Sequence, residues 1–412
     1  MKFIYVVGLA VASYMLYKYK QKAQKLLMVH SNNRLSRLFH LINQKLFENF
    51  KPSFFLFSGH AQTFFLELAQ LIVTLFKKVF KFYSFKYDRR IFTLSDGCKI
   101  AVDHARKTKL SRKFKEYDKI LVVLPGVTST SDDYYVKAFI EDFCDEFDCR
   151  IINARGFGGI ALYSPKMISS ECYLDVKEYI EHVSKEYPNK KIFGVGFSMG
   201  GMLLARYLGS VGDKVPVNFH AGCGLCYPCC LEQTKNYAEV HFNGLYSKVS
   251  LNNVKTTFFN NLDVIFHEKF HSAKGTENVF LEKEQILKEV DSCKLLSEFD
   301  KVYTTRVLGL NNVSEYYANS RLENYLGNIK VPFLSIFSED DPIIPIHSIP
   351  FKSLQANPYT VTVVTQHGGH LGFFGGLLIP ERIIEQPFRT FMKTVEILKE
   401  TETCKCKGNI SD

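Results

Sequence analysis

A strand, a sharp turn and a helix are predicted in succession around Ser198. The apolar run at residues 192–197 is typical of a buried strand, and a helical pattern resumes after Gly200 and Gly201. Gly196 and Gly200 flank the serine as Gly-x-Ser-x-Gly, because a turn this tight leaves no room for side chains. Such a turn projects the serine hydroxyl from the carboxyl end of the strand, so Ser198 is a candidate nucleophile. The alternative is a chance match to a short pattern, but the strand before it and the helix after it argue against that.

Predicted strands alternate with predicted helices over most of residues 90–400. They begin with a hairpin whose Ser-Asp-Gly turn lies at residues 95–97. This alternation indicates an α/β fold with a mostly parallel sheet and helices on both faces. The predicted strands are 120–124, 150–153, 192–197, 215–221, 332–337 and 361–366, and the predicted helices are 132–147, 171–187 and 382–398.

Residues 226–330 interrupt the alternation. Helical pieces, such as residues 281–290, and the Phe- and Asn-rich run at 258–266 predict an inserted helical cap. The polar tail at residues 401–412 is predicted to be disordered. One α/β domain is therefore expected at residues 90–400, with the cap inserted in it.

The second half of the chain supplies an acid and a base for the serine. A serine becomes a good nucleophile when a base takes its proton and an acid orients that base. Asp341 follows a predicted strand and precedes Pro-Ile-Ile-Pro, so it is the first choice for the acid, with Asp340 in reserve. Both aspartates could instead be simple turn residues. His370 follows two glycines at the end of the next strand and is the predicted base, whereas His367 is expected to shape the loop.

A tetrahedral oxyanion also needs backbone N–H donors fixed in advance. Met199, directly after the serine at the start of a helix, is predicted to supply one of them. Val127, which follows Pro125-Gly126 at the end of an earlier strand, is predicted to supply the other.

Basic charge is concentrated at the N-terminal end of the chain. Residues 1–90 contain 15 Lys and Arg and 3 acidic residues, whereas the other 322 residues carry 37 basic and 39 acidic groups. Basic residues interleaved with Phe and Leu favour an anionic membrane surface as partner. Nucleic acid is rejected as a partner, because no binding motif accompanies the charge. Oligomeric state is left open by the sequence.

Residues 1–25 are predicted to be an uncleaved N-terminal membrane anchor. Residues 3–17 contain no charge, and four lysines follow them at positions 18–25. A thin bilayer such as that of the endoplasmic reticulum fits this length, although other endomembranes and the plasma membrane stay open. The positive flank predicts a cytosolic body. The sequons at Asn312 and Asn409 would be glycosylated only in a lumenal body.

Residues 26–89 are predicted to form a basic aromatic connector. An amphipathic helix is expected within it at residues 64–76, where Glu67 and Gln70 argue against a second span. This helix lies on a membrane or packs on the body, and the sequence does not separate the two.

Eleven cysteines, an odd and scattered number, favour reduced thiols in so long a chain. The densest group is Cys223, Cys226, Cys229 and Cys230. No second Cys or His pair stands at the spacing of a zinc site, so no metal and no cofactor are predicted.

Six further motifs, in addition to the one around Ser198, occur in order over residues 55–400. Together they resemble the membrane-anchored α/β-hydrolase-domain lipases and their bacterial esterase relatives. Beyond Gly-Phe-Ser-Met-Gly-Gly they are Gly-His-Ala-Gln-Thr (59–63), Ser-Asp-Gly-Cys-Lys-Ile-Ala-Val-Asp (95–103), Leu-Pro-Gly-Val-Thr (124–128), Asn-Ala-Arg-Gly-Phe-Gly-Gly (153–159), Asp-Asp-Pro (340–342) and His-Gly-Gly-His-Leu-Gly-Phe (367–373).

The resemblance implies an α/β-hydrolase fold and hydrolysis of lipid esters, with acylglycerols and phospholipids as typical substrates and no metal. It implies Ser198 as nucleophile, Asp341 as acid and His370 as base. The expected function is a membrane-associated serine hydrolase that acts through an acyl-enzyme. Two alternatives remain: acyl transfer to a lipid alcohol on the same triad, and a catalytically silent lipid-binding or receptor protein.

Overall fold

A computed structural model describes residues 13–14, 27–30, 33–76, 83–107, 117–270, 282–376 and 380–408. The predicted anchor at residues 1–25 lies outside this part of the chain, apart from residues 13–14. Among the residues described, no helix combines the length and the apolar character that a bilayer span requires.

The centre of the molecule is a nine-stranded sheet with the strand order β1-β9-β8-β7-β6-β4-β5-β3-β2. Strands β4 to β9 pair in parallel, whereas β1, β2 and β3 pair with their neighbours in the antiparallel sense. The strands are β1 (Leu27–His30), β2 (Phe85–Thr93), β3 (Lys99–Lys107), β4 (Lys119–Leu124), β5 (Asp148–Ile152), β6 (Lys191–Phe197), β7 (Phe219–Leu225), β8 (Phe333–Ser338) and β9 (Thr360–Thr365), with a separate small pair β10 (Phe374–Gly375) and β11 (Glu381–Arg382).

Helices connect these strands and form the cap. They are α1 (Arg34–Asn49), α2 (Gly59–Phe76), α3 (Tyr134–Phe143), α4 (Tyr173–Glu186), α5 (Met199–Val211), α6 (Leu231–Val240), α7 (Leu245–Phe259), α8 (Leu262–Ile265), α9 (Lys283–Ser292), α10 (Leu296–Phe299), α11 (Thr305–Val307), α12 (Val313–Ser320), α13 (Glu323–Leu326), α14 (Phe351–Ala356) and α15 (Glu385–Gly408).

Each face of the sheet is covered by its own apolar core. Successive residues of a strand point to opposite faces, and β4 shows this directly. Leu121 and Val123 belong to the core that includes α3 and α15, whereas Ile120, Val122 and Leu124 belong to the core that includes α4 and α5. A third cluster lies within the cap, around Phe258 and Tyr303. The predicted α/β architecture is confirmed, since both faces of a mostly parallel sheet carry helices.

The segment expected to be a connector contributes to this architecture. Strand β1 pairs with β9 at one edge of the sheet. Helix α1 packs on α15, and helix α2 packs on α3. Leu35, Phe39 and Leu66 are buried in the same core as the central strands. The helix near residues 64–76 was expected either to lie on a membrane or to pack on the body. Its inner face packs on the body.

Two predicted boundaries are corrected. The strand expected at residues 215–221 is β7 at Phe219–Leu225, because Pro216 lies in a turn in which Phe219 N–H donates to its carbonyl oxygen at 2.9 Å. Val217 is 95% exposed. The prediction started the strand too early because it took this apolar residue as part of a buried strand. The predicted disordered tail from Thr401 is helical as far as Gly408, because α15 continues beyond the predicted end at residue 398. Residues 409–412 lie outside the described chain.

The motif at residues 153–159 joins three segments through a buried ion network. Arg155 donates to both carboxylate oxygens of Asp175 in α4, at 2.6 and 2.7 Å, and to Asp96 in the β2–β3 turn at 2.6 Å. Arg155 and Asp175 are both buried. The arginine therefore ties the hairpin, the loop after β5 and α4 into one unit.

Replacing Arg155 by methionine is expected to lower the free energy of unfolding by about 3–5 kcal/mol, because Asp175 would be left buried without a counter-charge. Urea denaturation measures the change. The exposed Arg90→Met variant serves as the control and should change the free energy by less than about 1 kcal/mol. Equal losses in the two variants would show that the network does not stabilise the fold.

Candidate active site

Ser198 occupies a strained turn between β6 and α5. Its backbone has φ +50° and ψ −122°, a conformation that side-chain-bearing residues rarely adopt. A Cβ atom at Gly196 would lie 2.3 Å from the carbonyl oxygen of Gly200, and one at Gly200 would lie 2.1 Å from that of Leu124. Neither position therefore accepts a side chain. The strand, turn and helix predicted around this serine are confirmed.

Asp341 and His370 form a buried pair beyond the ends of β8 and β9. The Nδ1 atom of His370 is 2.9 Å from Oδ2 of Asp341. The other oxygen, Oδ1, accepts N–H donors from Ile343 at 2.8 Å and Ile344 at 2.9 Å. Both carboxylate oxygens are engaged, so the carboxylate is held in one orientation and sets the orientation of the ring.

Asp340 and His367 form a second pair of the same kind. His367 Nδ1 lies 3.0 Å from Oδ2 of Asp340, and Oδ1 of Asp340 accepts the N–H groups of Gly368 and Gly369 at 3.0 and 2.9 Å. These bonds shape the loop that leads to His370. Unlike His370, neither member of this second pair lines the cavity beside Ser198.

The cavity has a volume of about 560 Å³. Ser198 and His370 both line it, as do Val127 and Met199. Within the described chain, the backbone N–H groups of Val127 and Met199 donate to no protein acceptor. Most of the remaining wall is apolar, including Leu66, Ile168, Leu231, Leu245, Val254, Phe299, Ile344 and Leu371.

The cap contributes an ion pair to the wall of the cavity. Lys235 in α6 forms an ion pair with Asp300, which also accepts a hydrogen bond from the Thr304 hydroxyl at 3.0 Å. Lys235 is the one lysine or arginine among the described residues of this wall. Burial lowers the pKa of the Lys235 ammonium to about 7.

The start of α2 holds the loop that carries His370. Thr63 Oγ1 accepts the backbone N–H of His370 at 2.9 Å and donates to the carbonyl oxygen of Gly59 at 2.8 Å. Gln62 accepts from the N–H of Phe374 at 2.7 Å and donates to the carbonyl oxygens of Leu56 and Phe374. Both side chains are buried.

The same helix start also touches the loop that carries the acid. A Cβ atom at Gly59 would lie 1.6 Å from the carbonyl oxygen of Asp340, and one at Gly369 would lie 2.4 Å from that of Gly59. The motif at residues 59–63 is thus packed between the two loops. Sequence reasoning noted this motif but gave it no role. The available signal was the pair of polar residues, Gln and Thr, at the start of an otherwise apolar helix.

Cys226 lies beside this pair. One ligand-type atom from each of Cys226, Asp341 and His370 falls within a span of 4.8 Å, the one such group found in the described chain. Burial, followed by the nearby charge of Asp341, raises the pKa of the Cys226 thiol well above its ordinary value. The other described cysteines are likewise buried free thiols.

Comparison with known proteins places the chain in a family. Residues 115–355 match the family described as Hydrolase_4, serine aminopeptidase S33. Phospholipase ABHD3 of Homo sapiens is 26% identical over 90% of this chain and 85% of its own length. Monoacylglycerol lipase of Saccharomyces cerevisiae is 25% identical over 62% of this chain and 55% of its own length. Monoacylglycerol lipase ABHD2 of Danio rerio is 26% identical over 70% of this chain and 64% of its own length.

The chain belongs to the Hydrolase_4 family. The expectations of an α/β-hydrolase of the lipase branch and of an ester-hydrolysing enzyme are thereby confirmed.

The Thr63→Val variant is expected to lower kcat for ester hydrolysis about tenfold, because the His370 amide would lose its acceptor and the loop would no longer be held. Valine keeps the shape of threonine, so KM should change little. Steady-state kinetics on a soluble aryl ester measures both constants.

Thr63→Ser, which retains the hydroxyl, is the matched control and should keep kcat within about twofold of the wild type. If Thr63→Ser loses as much activity as Thr63→Val, the hydrogen bond is not what positions the loop.

Proposed function

We propose that this protein is a membrane-associated serine hydrolase that cleaves acyl esters of lipids, acylglycerols or phospholipids, through Ser198, His370 and Asp341. The observation that carries the proposal is the buried His370–Asp341 pair, at 2.9 Å, whose histidine lines the same cavity as a serine in a strained turn. A strained, buried arrangement of this kind persists where the surrounding structure enforces it, and such sites are commonly functional.

The first half of the reaction forms an acyl-enzyme. Asp341 holds Nδ1 of His370, which leaves Nε2 to take the proton from the Ser198 hydroxyl. The serine oxygen then bonds to the acyl carbonyl carbon, and the carbonyl oxygen becomes an oxyanion. The N–H groups of Val127 and Met199, which have no other acceptor in the described chain, would bind it. When the tetrahedral intermediate collapses, the ester C–O bond breaks and His370 gives its proton to the departing alcohol.

The second half repeats these steps with water. His370 takes a proton from a water molecule, and the resulting hydroxide bonds to the acyl carbon. The bond to Ser198 breaks, the serine recovers its proton from His370 and a fatty acid leaves. The carboxylate of Asp341 stabilises the imidazolium in both halves, since its orientation is fixed by Ile343 and Ile344.

The shape and chemistry of the cavity support a lipid substrate. A cavity of about 560 Å³ with a mostly apolar wall suits an acyl chain, and its size is within the range typical of ligand pockets. The relatives named phospholipase and monoacylglycerol lipase agree with this choice. The proposal therefore covers both acylglycerols and phospholipids as a class.

A fluorophosphonate probe is expected to label the wild-type protein and to leave Ser198→Ala unlabelled, because the probe reacts with an activated serine. Asp341→Asn should lower kcat by about 10³–10⁴-fold, since the wrong tautomer of His370 would then be favoured. Probe labelling and hydrolysis of an aryl ester measure the two effects.

The neighbouring pair provides matched controls. Asp340→Asn and His367→Ala alter the same loops, but Asp340 and His367 bond to each other and not to the His370 ring, so these variants should lose far less activity than Asp341→Asn and His370→Ala. Labelling that survives Ser198→Ala would refute the nucleophile, and a larger loss in Asp340→Asn than in Asp341→Asn would reassign the acid. A wild-type protein that binds lipid without turnover would favour the silent receptor.

Membrane attachment through residues 1–25, with the body on the cytosolic side, is also part of the proposal. Its support is the uncharged run followed by lysines at positions 18–25. The sequon at Asn312 lies in an exposed helix start in the described chain, where the side chain accepts the N–H of Glu315 at 2.9 Å.

Expression in cells is expected to give a protein whose gel mobility does not change on treatment with an N-glycosidase, because a cytosolic Asn312 never meets the glycosylation enzymes. A Ser314→Ala variant, which removes the sequon, is the control. A mobility shift that disappears in this variant would place the body in the lumen instead.

A further inference from the structure

Helix α2 has a buried inner face and an outer face that exposes apolar side chains. Its inner face carries Gln62, Thr63, Leu66 and Ala69, which are buried against the hydrolase core. Its outer face exposes large apolar side chains at intervals of three and four residues, which place them on one side of a helix. The exposed residues are Phe64, Leu68, Leu71, Ile72 and Leu75, with Leu75 65% exposed.

The cap continues this apolar surface. Phe242, Leu245 and Val249, at the start of α7 and just before it, are also exposed. The ring of Phe64 joins the two parts, since its centroid lies 5.5 Å from that of Phe242 and 5.8 Å from that of Tyr246. We call the exposed residues of α2 and these three cap residues the apolar rim.

The apolar rim leads into the cavity that contains Ser198. Phe64, Leu245 and Val249 are exposed on the rim and also line the cavity. An apolar molecule on the outside of α2 can therefore reach the cavity along these three side chains. Contiguous exposed apolar surface of this kind marks a site of interaction with a protein or a membrane.

Charge favours a membrane as the occupant. Lys77 and Lys78 follow α2 directly in the sequence, and the first 90 residues carry 15 basic and 3 acidic groups. Helices that lie in an anionic bilayer surface combine an apolar face with neighbouring basic residues. The one acidic residue within α2 is Glu67.

The position of the rim argues against a second copy of the chain. A protein partner seated on Phe64, Leu245 and Val249 would cover the cavity mouth and exclude substrate. A bilayer seated there would present the substrate itself. The lipid surface is thus the occupant that is consistent with an open cavity.

We propose that the apolar rim docks on an anionic lipid bilayer and admits the lipid ester directly from it into the cavity. This inference rests on the proposed function and adds the surface through which the substrate arrives. The predicted anchor would keep the chain near the membrane, whereas the rim orients the cavity mouth toward it.

The first test compares two substrates in the full-length chain. Leu71→Glu combined with Leu75→Glu is expected to reduce hydrolysis of an ester embedded in phosphatidylserine-containing vesicles by about tenfold or more. Hydrolysis of a soluble aryl ester should be unchanged, because neither residue lines the cavity. The matched control is Ile91→Glu combined with Val217→Glu, which adds the same charges at exposed apolar positions away from the rim and should affect neither substrate. A rim variant that hydrolyses the vesicle ester as well as the control does would overturn the proposal.

The second test does not depend on activity. The chain contains no Trp, so Leu71→Trp introduces a single reporter on the rim. Its emission is expected to shift to the blue when phosphatidylserine-containing vesicles are added, and that of Val217→Trp should not shift. An unshifted Leu71→Trp spectrum on protein that sediments with the vesicles would overturn the docking surface. A shift that depends on protein concentration without vesicles would also overturn it, in favour of a second copy.

These outcomes also separate the inference from the proposed function. If the wild type fails to hydrolyse the soluble ester, the proposed function fails, yet the Leu71→Trp spectrum still reports on docking. If the soluble ester is hydrolysed and Leu71→Trp does not respond to vesicles, the docking surface alone fails.

Discussion

The orientation of His370 is the constraint on which the site depends. Its ring is held by Asp341 at 2.9 Å, and its backbone N–H is held by Thr63 at 2.9 Å. One contact comes from the loop after β8 and the other from a helix that lies between β1 and β2 in the sequence. A histidine on a glycine-rich loop would otherwise sample many positions, because glycine restricts the backbone least. Two hydrogen bonds from different elements limit that freedom.

Helix α2 therefore contributes to both the site and the molecular surface. Its buried polar residues hold the histidine loop, and its outer face forms most of the apolar rim. The glycines at positions 59 and 369 allow this approach, since a Cβ atom at either one would overlap a neighbouring carbonyl oxygen. A single helix therefore connects the surface that we propose to meet the lipid with the loop that carries the proposed base. This connection explains why the helix between β1 and β2 is packed into the body of the molecule.

Local patterns in the sequence predicted the serine turn and the mostly parallel sheet correctly. They succeed because a turn such as that at Ser198 depends on nearby glycines and on a strand and helix adjacent in sequence. The same reasoning misplaced β7, because the exposed Val217 and the turn at Pro216 carry an apolar signal without a strand. It also treated residues 26–89 as a connector, since nothing local shows that β1 pairs with a strand more than 300 residues away.

The sequence by itself determined the strained serine turn, the alternation of strands and helices, and the two aspartates and two histidines available to the site. Tertiary structure decided how these four side chains pair. Asp341 joins His370, which lines the cavity, whereas Asp340 joins His367, which does not. Adjacent residues have nearly the same sequence context, so only the path of the two loops separates them. The same holds for Gln62 and Thr63, whose roles exist only where α2 meets the histidine loop, because a hydrogen bond between distant segments leaves no local pattern.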